Sequence, residues 1–414
     1  MVYQTEKQLK KKPENNIENR KTIQLRRNIV LDYINTFVTN LNMQSSIWVL
    51  YLAYCGLSLA QIGLVEGIYH ATSIVFEIPS GAVADLLGRK RSMVLSKVCI
   101  AVSCIIMLFA RSFWFFALSF VIQALGNNLN SGSEEALVYD SMKYAGQEEQ
   151  YMRVCGRLNV IIEVSQGIAT VAGGILAEFS YIWCYSACVV IAALALMPVL
   201  CMTEAPYADT ENRHRSVREV VAAHFQTCFG ILRSDGRILK IIVYYSVVFA
   251  AQTLLFFYSQ QYFYELGYNK IQISLIMLVV GGVSCAGAFM SERIFARFGV
   301  KIGVIGALAI AGAFMAYGFY NVFASIAALA VANFFISVLY PVQSEQLNSL
   351  IPSGQRATLI SVNSLFFSVG MIVLFPLAGV LADQWGLTAV LVGIGVALFG
   401  FTVGWKLLFT PTSK

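Results

Sequence analysis

Several carboxylates in this 414-residue chain sit inside long apolar runs, where a charge is costly unless it is paired, wet or protonated. A carboxyl in such a place with no basic partner can stay protonated near neutrality and exchange that proton. Glu163, Glu135, Glu345 and Glu66 are therefore the candidate proton carriers. Glu66 and His70 stand one helical turn apart and are expected to hydrogen-bond, or else His70 is a packing residue. Asp32 and Glu134 are expected to reach the membrane interface, and Glu77 either supports a closure motif or carries a proton. Amides cluster in the same runs, at Asn40-Leu-Asn42-Met-Gln44, Asn127-Asn128-Leu-Asn130, Gln252 with Gln260-Gln261, and Gln343-Ser-Glu345-Gln346. From these, Asn40, Gln44, Asn128, Ser131, Gln252, Gln343 and Gln346 are the candidate lining of a solute cavity. Asn128, Ser131 and Glu135 have the spacing of one helical face. No Lys or Arg is expected deep in any apolar run, and a cavity without a base suits neutral or cationic organic solutes.

These groups need elements that can hold them in a membrane. Hydrophobic residues make up 57% of the chain and charged residues 13%, where a soluble protein is about a quarter charged. Apolar runs of about 20 residues, enough to cross the hydrocarbon core, recur near 28–53, 60–84, 92–111, 115–142, 152–178, 181–201, 238–264, 270–296, 301–320, 322–349, 357–382 and 387–408. The expected fold is all-α, twelve membrane spans in two six-helix bundles, 28–201 and 238–408. A tail at 1–27, a linker at 202–237 and a short tail at 409–414 complete it. In the linker, Arg213 to Leu239 has the pattern of either an amphipathic surface helix or a flexible tether.

Of the 29 Lys and Arg, all but Arg111 and Lys270 fall on one side if the spans alternate. The positive-inside rule then puts both termini in the cytosol. The nine cysteines are odd in number and mostly inside apolar runs, so neither a disulfide framework nor a metal site is implied. The first 27 residues have no secretory-signal pattern.

Internal repeats divide the chain further. Gly56-Leu-Ser-Leu-Ala-Gln61-Ile62 recurs as Gly267-Tyr-Asn-Lys-Ile-Gln272-Ile273, and at the same offset Gly88 falls on Gly299. A pattern of glycine, any residue, aliphatic, alanine, acid appears as Gly81 to Asp85, Gly174 to Glu178 and Gly379 to Asp383, ending spans 2, 5 and 11. Spans 2 and 5 run in opposite directions, as a three-helix inverted repeat requires. Polar content has the same period. Spans 1, 4, 7 and 10 carry the amides and face a wet centre, while spans 3, 6, 9 and 12 face lipid.

Residues 81–93, Gly-Ala-Val-Ala-Asp-Leu-Leu-Gly-Arg-Lys-Arg-Ser-Met, closely resemble the loop 2–3 signature of the major facilitator superfamily. Phe76-Glu77-Ile78-Pro79-Ser80, Glu135 to Ser141 and Arg356-Ala357-Thr358 are similar to its prokaryotic drug-efflux-like branch. The resemblance implies a cytosolic gate made of Gly81, Asp85, Gly88, Arg89, Lys90, Arg91 and Asp140. In it Asp85 would face Arg89 and the start of span 11, and Asp140 would pair with Arg89 or Arg91. Leu86 stands where the family often has Arg, and in the second half Glu292 and Ala296 replace the gate's glycine and acid. Span 5 reads Ala169-Thr170-Val171-Ala172-Gly173-Gly174, keeping only the closing glycines of an antiport-associated Gly-Pro-x-x-Gly-Gly run.

No zinc-protease helix, nucleophile elbow or phosphate-binding loop is present, so an enzyme and an ATP-driven pump are disfavoured. The expectation is a transporter of the bacterial inner membrane, working as a monomer by alternating access. Its partners are a small organic solute, protons and lipid, with no cofactor, metal, ATP or nucleic acid. Proton-coupled export is the expected direction, and proton-coupled uptake of a neutral nutrient or metabolite is the alternative.

Overall fold

The computed structural model describes residues 2–205, 235–351 and 356–409, with isolated positions between 226 and 233. Side chains are described over 21–84, 86–205, 235–351 and 359–405. The proposed amphipathic segment of the linker lies largely outside the described residues.

Hydrocarbon offers backbone groups no partners, so every crossing segment must satisfy its own hydrogen bonds as a helix. Among the described residues ten helices are long and apolar enough to cross a membrane. They are span 2 (Leu59–Leu87), span 3 (Arg89–Phe109), span 5 (Tyr151–Phe179), span 6 (Tyr181–Cys201), span 7 (Gly236–Glu265) and span 8 (Lys270–Phe298). Span 9 (Lys301–Ala316), span 10 (Val322–Asn348), span 11 (Arg356–Trp385) and span 12 (Leu387–Phe409) complete the ten.

The other two spans are broken, which corrects the continuous helices expected at 28–53 and 115–142. Span 1 is Val2–Thr39 followed by Trp48–Tyr54, with an irregular segment from Asn40 to Ile47. Span 4 is Phe113–Asn130 followed by Ser133–Tyr144. The second break has a simple cause: Gly132 takes a left-handed conformation, φ 73°, and the chain restarts in a new direction. The first has no glycine or proline. Its amides compete with the backbone, and the neighbouring helices hold the unwound segment. Cys184 contacts the Met43 carbonyl, Ser46 donates to the Thr170 carbonyl, and Gln260 of span 7 donates to the Ser45 carbonyl at 3.4 Å.

The repeated segments are structural equivalents. Ser58 and Asn269 each accept a hydrogen bond from a backbone N–H three residues on, and Gln61 and Gln272 reach back to the capping residue's own N–H. Helix packing repeats as well. In the first half, span 3 packs on spans 4 and 6 and span 2 on span 4; in the second, span 9 packs on 10 and 12 and span 8 on 10. Between the halves, span 2 meets span 11 more extensively than any other helix pair meets, and span 5 meets span 8.

Those two inter-half contacts are tightest at the face opposite the amino terminus. A Cβ on Gly379 would lie 2.2 Å from the Leu59 carbonyl oxygen, and one on Gly63 2.4 Å from that of Phe375. A Cβ on Gly174 would lie 2.2 Å from Ser274 Oγ. Gly81, near the amino-terminal face, has no described atom within 4 Å of where its Cβ would stand. The halves are therefore clasped at the opposite face, and the central space lies between that clasp and the amino-terminal face.

Candidate transport site

The breaks in spans 1 and 4 create the polar centre. A cavity of about 310 Å³ lies between the halves, lined by Asn42, Gln44, Ser45, Trp48, Glu66, Tyr69, His70, Phe120, Gln123, Thr253, Phe257, Phe367 and Met371. Trp48 opens the second piece of span 1 and stands edge-on to Phe257, with ring centroids 5.2 Å apart, and 5.6 Å from Phe120. The walls are aromatic and the floor is amide, an arrangement that binds a flat apolar body with polar edges.

Glu66 and His70 form the titratable wall of this cavity. Their Oε1 and Nε2 are 3.5 Å apart, and both residues are buried. His70 Nδ1 lies 3.2 Å from Ser368 Oγ of span 11, so the pair reaches across to the other half.

Two side cavities adjoin the first half's broken helices. One, about 400 Å³, is lined by Asp32, Thr36, Thr39, Asn40, Asn130, Glu134, Glu135 and residues of span 5 including Tyr151 and Asn159. Asp32 is 1% exposed, and its carboxyl faces that of Glu134. Glu134 accepts hydrogen bonds from Asn35, Thr36 and Asn130. The other cavity, about 120 Å³, is lined by Thr39, Asn42, Gln44, Lys97, Gln123 and Asn127 among others. Lys97 is 3% exposed and donates to Thr39 Oγ1 at 2.9 Å. Its Cα lies about 12 Å along span 3 by the rise of a helix. The expectation of a span interior without a base is corrected here, and with it the ground for excluding anionic groups.

The remaining candidates are scattered. Gln44 lines the central cavity, while Asn40 lines the acidic one and accepts from Gln166 at 3.2 Å. Asn128, Ser131 and Glu135 do not share a face, because the break at Gly132 separates them. Asn128 is buried and exchanges two hydrogen bonds with Ser73, leaving Asn127 to face the cavity. Ser131 and Glu135 are exposed, and Glu135 joins the acidic cavity. Gln343 is paired with Asn363, and Gln346 donates to the Tyr245 hydroxyl. Gln252 is buried, and the adjacent Thr253 lines the cavity in its place. Glu163 is exposed and accepts from Cys285 Sγ of span 8 at 3.3 Å, across the halves. Glu345 is exposed on span 10, away from the three cavities. Glu77 accepts from Ser361 of span 11 at 2.8 Å, across the halves.

Around the expected gate, Arg89 contacts the Asp140 carboxylate and donates to the Ala136 carbonyl. The backbone N–H groups of Arg89 and Lys90 donate to Glu204 at 2.9 Å, and Lys90 Nζ donates to the Leu200 carbonyl. Gly88 takes φ 96° between spans 2 and 3, and Arg91 begins the first turn of span 3. The Asp85 side chain lies outside the described residues. The other two copies of the acid-ending pattern are fully described. Glu178 accepts from the Lys270 N–H at 2.9 Å, and Asp383 accepts from those of Leu59 and Ala60, both at 3.0 Å. Each acid caps the first turn of a helix in the opposite half.

A broken-helix bundle pair with a wet centre, clasped at one face, is the architecture of a multi-pass membrane transporter. The chain belongs to the Major Facilitator Superfamily, whose sequence model matches residues 33–320 and 264–414. It is 24% identical over 367 residues to the uncharacterized MFS-type transporter YxaM of Bacillus subtilis (strain 168), covering 86% of this chain and 88% of that one. Its fold is similar to the crystal structure of the nucleoside transporter NupG, with TM-score 0.75 at 14% identity over 95% of this chain and 100% of that chain. It is also similar to the D-xylose-proton symporter, with TM-score 0.65 at 14% identity over 92% and 96%. The family and these neighbours are transporters rather than enzymes.

Proposed function

We propose that the chain moves a small amphipathic organic solute by alternating access in a bacterial inner membrane, coupled to protons, with both termini in the cytosol. The observation that carries this reading is the central cavity. It combines aromatic walls, free amides and a carboxylate–imidazole pair that touches the opposite half. A proton arriving at Glu66 or His70 changes the contact with Ser368, and so ties protonation to the packing of span 2 on span 11. A structural neighbour, the D-xylose-proton symporter, is proton-coupled, which agrees with this reading. The acids Asp32, Glu134 and Glu135 form a second candidate path for the proton from the amino-terminal face, and Glu163 a third, beside span 8.

Export is favoured by the likeness of Phe76 to Ser80 and Glu135 to Ser141 to drug exporters. Uptake is favoured by the loss of proline from the Ala169 to Gly174 stretch of span 5. Gradient-driven flux in proteoliposomes of defined orientation decides both coupling and direction. In that assay we expect Glu66→Gln to abolish the response to a pH gradient while solute counterflow persists. A full gradient response in Glu66→Gln moves the coupling group to Glu135, Glu163 or Asp32, tested in turn by the same amide substitutions. A response that survives all four variants rules out proton coupling through these acids.

A further inference from the structure

Lys97 takes no part in the clasp, the gate or the Glu66–His70 pair, yet it is among the most deeply buried charges described. Its ammonium carries three donors. One goes to Thr39 Oγ1, on the last helical residue before the break in span 1. No carboxylate is in ion-pair contact with it among the described residues. Asp32 and Glu134 are near enough for their charges to act on it. They stand in the neighbouring cavity, however, and Thr39 lines both spaces. Four amides, Asn42, Gln44, Gln123 and Asn127, line the same space of about 120 Å³, the rest of its wall beyond Thr39 and Lys97 being apolar or cysteine. A buried cation with unfilled donors is held at a cost that an oxyanion on those donors would offset.

The position of this space matters as much as its chemistry. Asn42, Gln44 and Gln123 line both it and the aromatic central cavity, so the two spaces share an amide wall. We infer that Lys97 and the amides around it form an anion subsite, and that the transported solute carries a carboxylate bound there, with its apolar body in the central cavity. This rests on the transport reading and names its substrate class. A single ammonium matches one negative charge at most, and only while Asp32 and Glu134 are not both ionised. A phosphate group, at about −1.5 to −2, exceeds that charge and meets more repulsion from those acids than a monocarboxylate does. The same acids set the affinity of the subsite, beside the coupling placed at Glu66: while ionised they compete with the solute for Lys97, and on taking up a proton they release it.

The test uses the purified full-length chain in nanodiscs. Melting temperature and tryptophan fluorescence are followed against a panel of small aromatic and aliphatic monocarboxylates, each with its primary amide and its amine counterpart, together with inorganic phosphate. The acids are expected to bind more tightly than their amides and amines. Lys97→Met should weaken acid binding about 30-fold or more, the loss of one partner of a buried charge pair, and leave amide binding unchanged. Lys97→Arg should keep the preference for acids. Should Lys97→Met not fold, Lys97→Gln takes its place with the same expected result. An acid-to-amide ratio of one in the wild type, a ratio unmoved by loss of Lys97, or a response to phosphate alone each overturns the subsite. Gradient-driven flux in proteoliposomes separates the two readings. Loss of acid binding in Lys97→Met with no flux in the wild type sinks transport and leaves the subsite, and intact flux with an unmoved ratio does the reverse.

Discussion

A methyl group added at Gly173 would stand 2.0 Å from the carbonyl oxygen of Met43, inside the break of span 1. The missing side chain is what lets span 5 hold that unwound segment, and Gly174 beside it makes room for Ser274 of the other half. We expect Gly173→Ala to cost about 1–3 kcal/mol, as overpacking does, and to lower the melting temperature. Gly281→Ala on span 8, with nothing within 4 Å of the new atom, should be neutral or stabilise by about 0.5–1 kcal/mol through helix propensity. Equal melting temperatures for the two variants would contradict the packing role. The carboxylates and amides were legible one by one in the sequence, because a polar group in an apolar run stands out. Their directions were not. Asn128 and Gln343 are spent on Ser73 and Asn363, while Asn127 beside Asn128 lines the Lys97 cavity and Thr253 beside Gln252 lines the central one. Lys97 escaped notice because a lysine eight residues from a basic loop is expected to snorkel back to the interface, whereas here it turns inward to Thr39.

At the scale of the helix, the acid-ending pattern has one geometry in two places. In each, the glycine lies against the first carbonyls of a helix from the opposite half, and the acid four residues on accepts its free N–H groups. Gly174 and Glu178 do this to span 8, and Gly379 and Asp383 to span 2. A helix amino terminus has unsatisfied donors and partial positive charge, so a carboxylate there stabilises by about 0.5–2 kcal/mol. Both contacts join the halves at one face, so breaking them favours the state open at that face. Asp383→Asn and Glu178→Gln should each shift the two-state ratio about fivefold or more, and together multiply. Double electron–electron resonance between labels on spans 2 and 11 reads the shift. Unchanged distance distributions in the double variant would falsify the clasp. The repeat itself was visible in the sequence, but which helix each acid caps depended on the packing of the halves.

For the whole molecule, the clasp at one face, with no described atom close to Gly81 at the other, defines a direction. Thiol reagents applied from the amino-terminal side should modify Ser131→Cys, which is exposed, and spare Ala378→Cys, which is buried on span 11 beside Gly379. Adding Asp383→Asn should raise labelling of Ala378→Cys from the opposite side, and equal labelling of the two cysteines from one side would contradict this state. Helix number and class were set by the sequence alone, because each crossing helix closes its own backbone hydrogen bonds and needs only a local run of apolar residues. The repeated capping segments at Ser58 and Asn269 are local for the same reason. The broken first span, the inward Lys97, the facing Asp32 and Glu134 and the crossed helix caps were decided by tertiary structure. Each depends on groups far apart in the chain, whose polar atoms find partners only when the helices that carry them have packed.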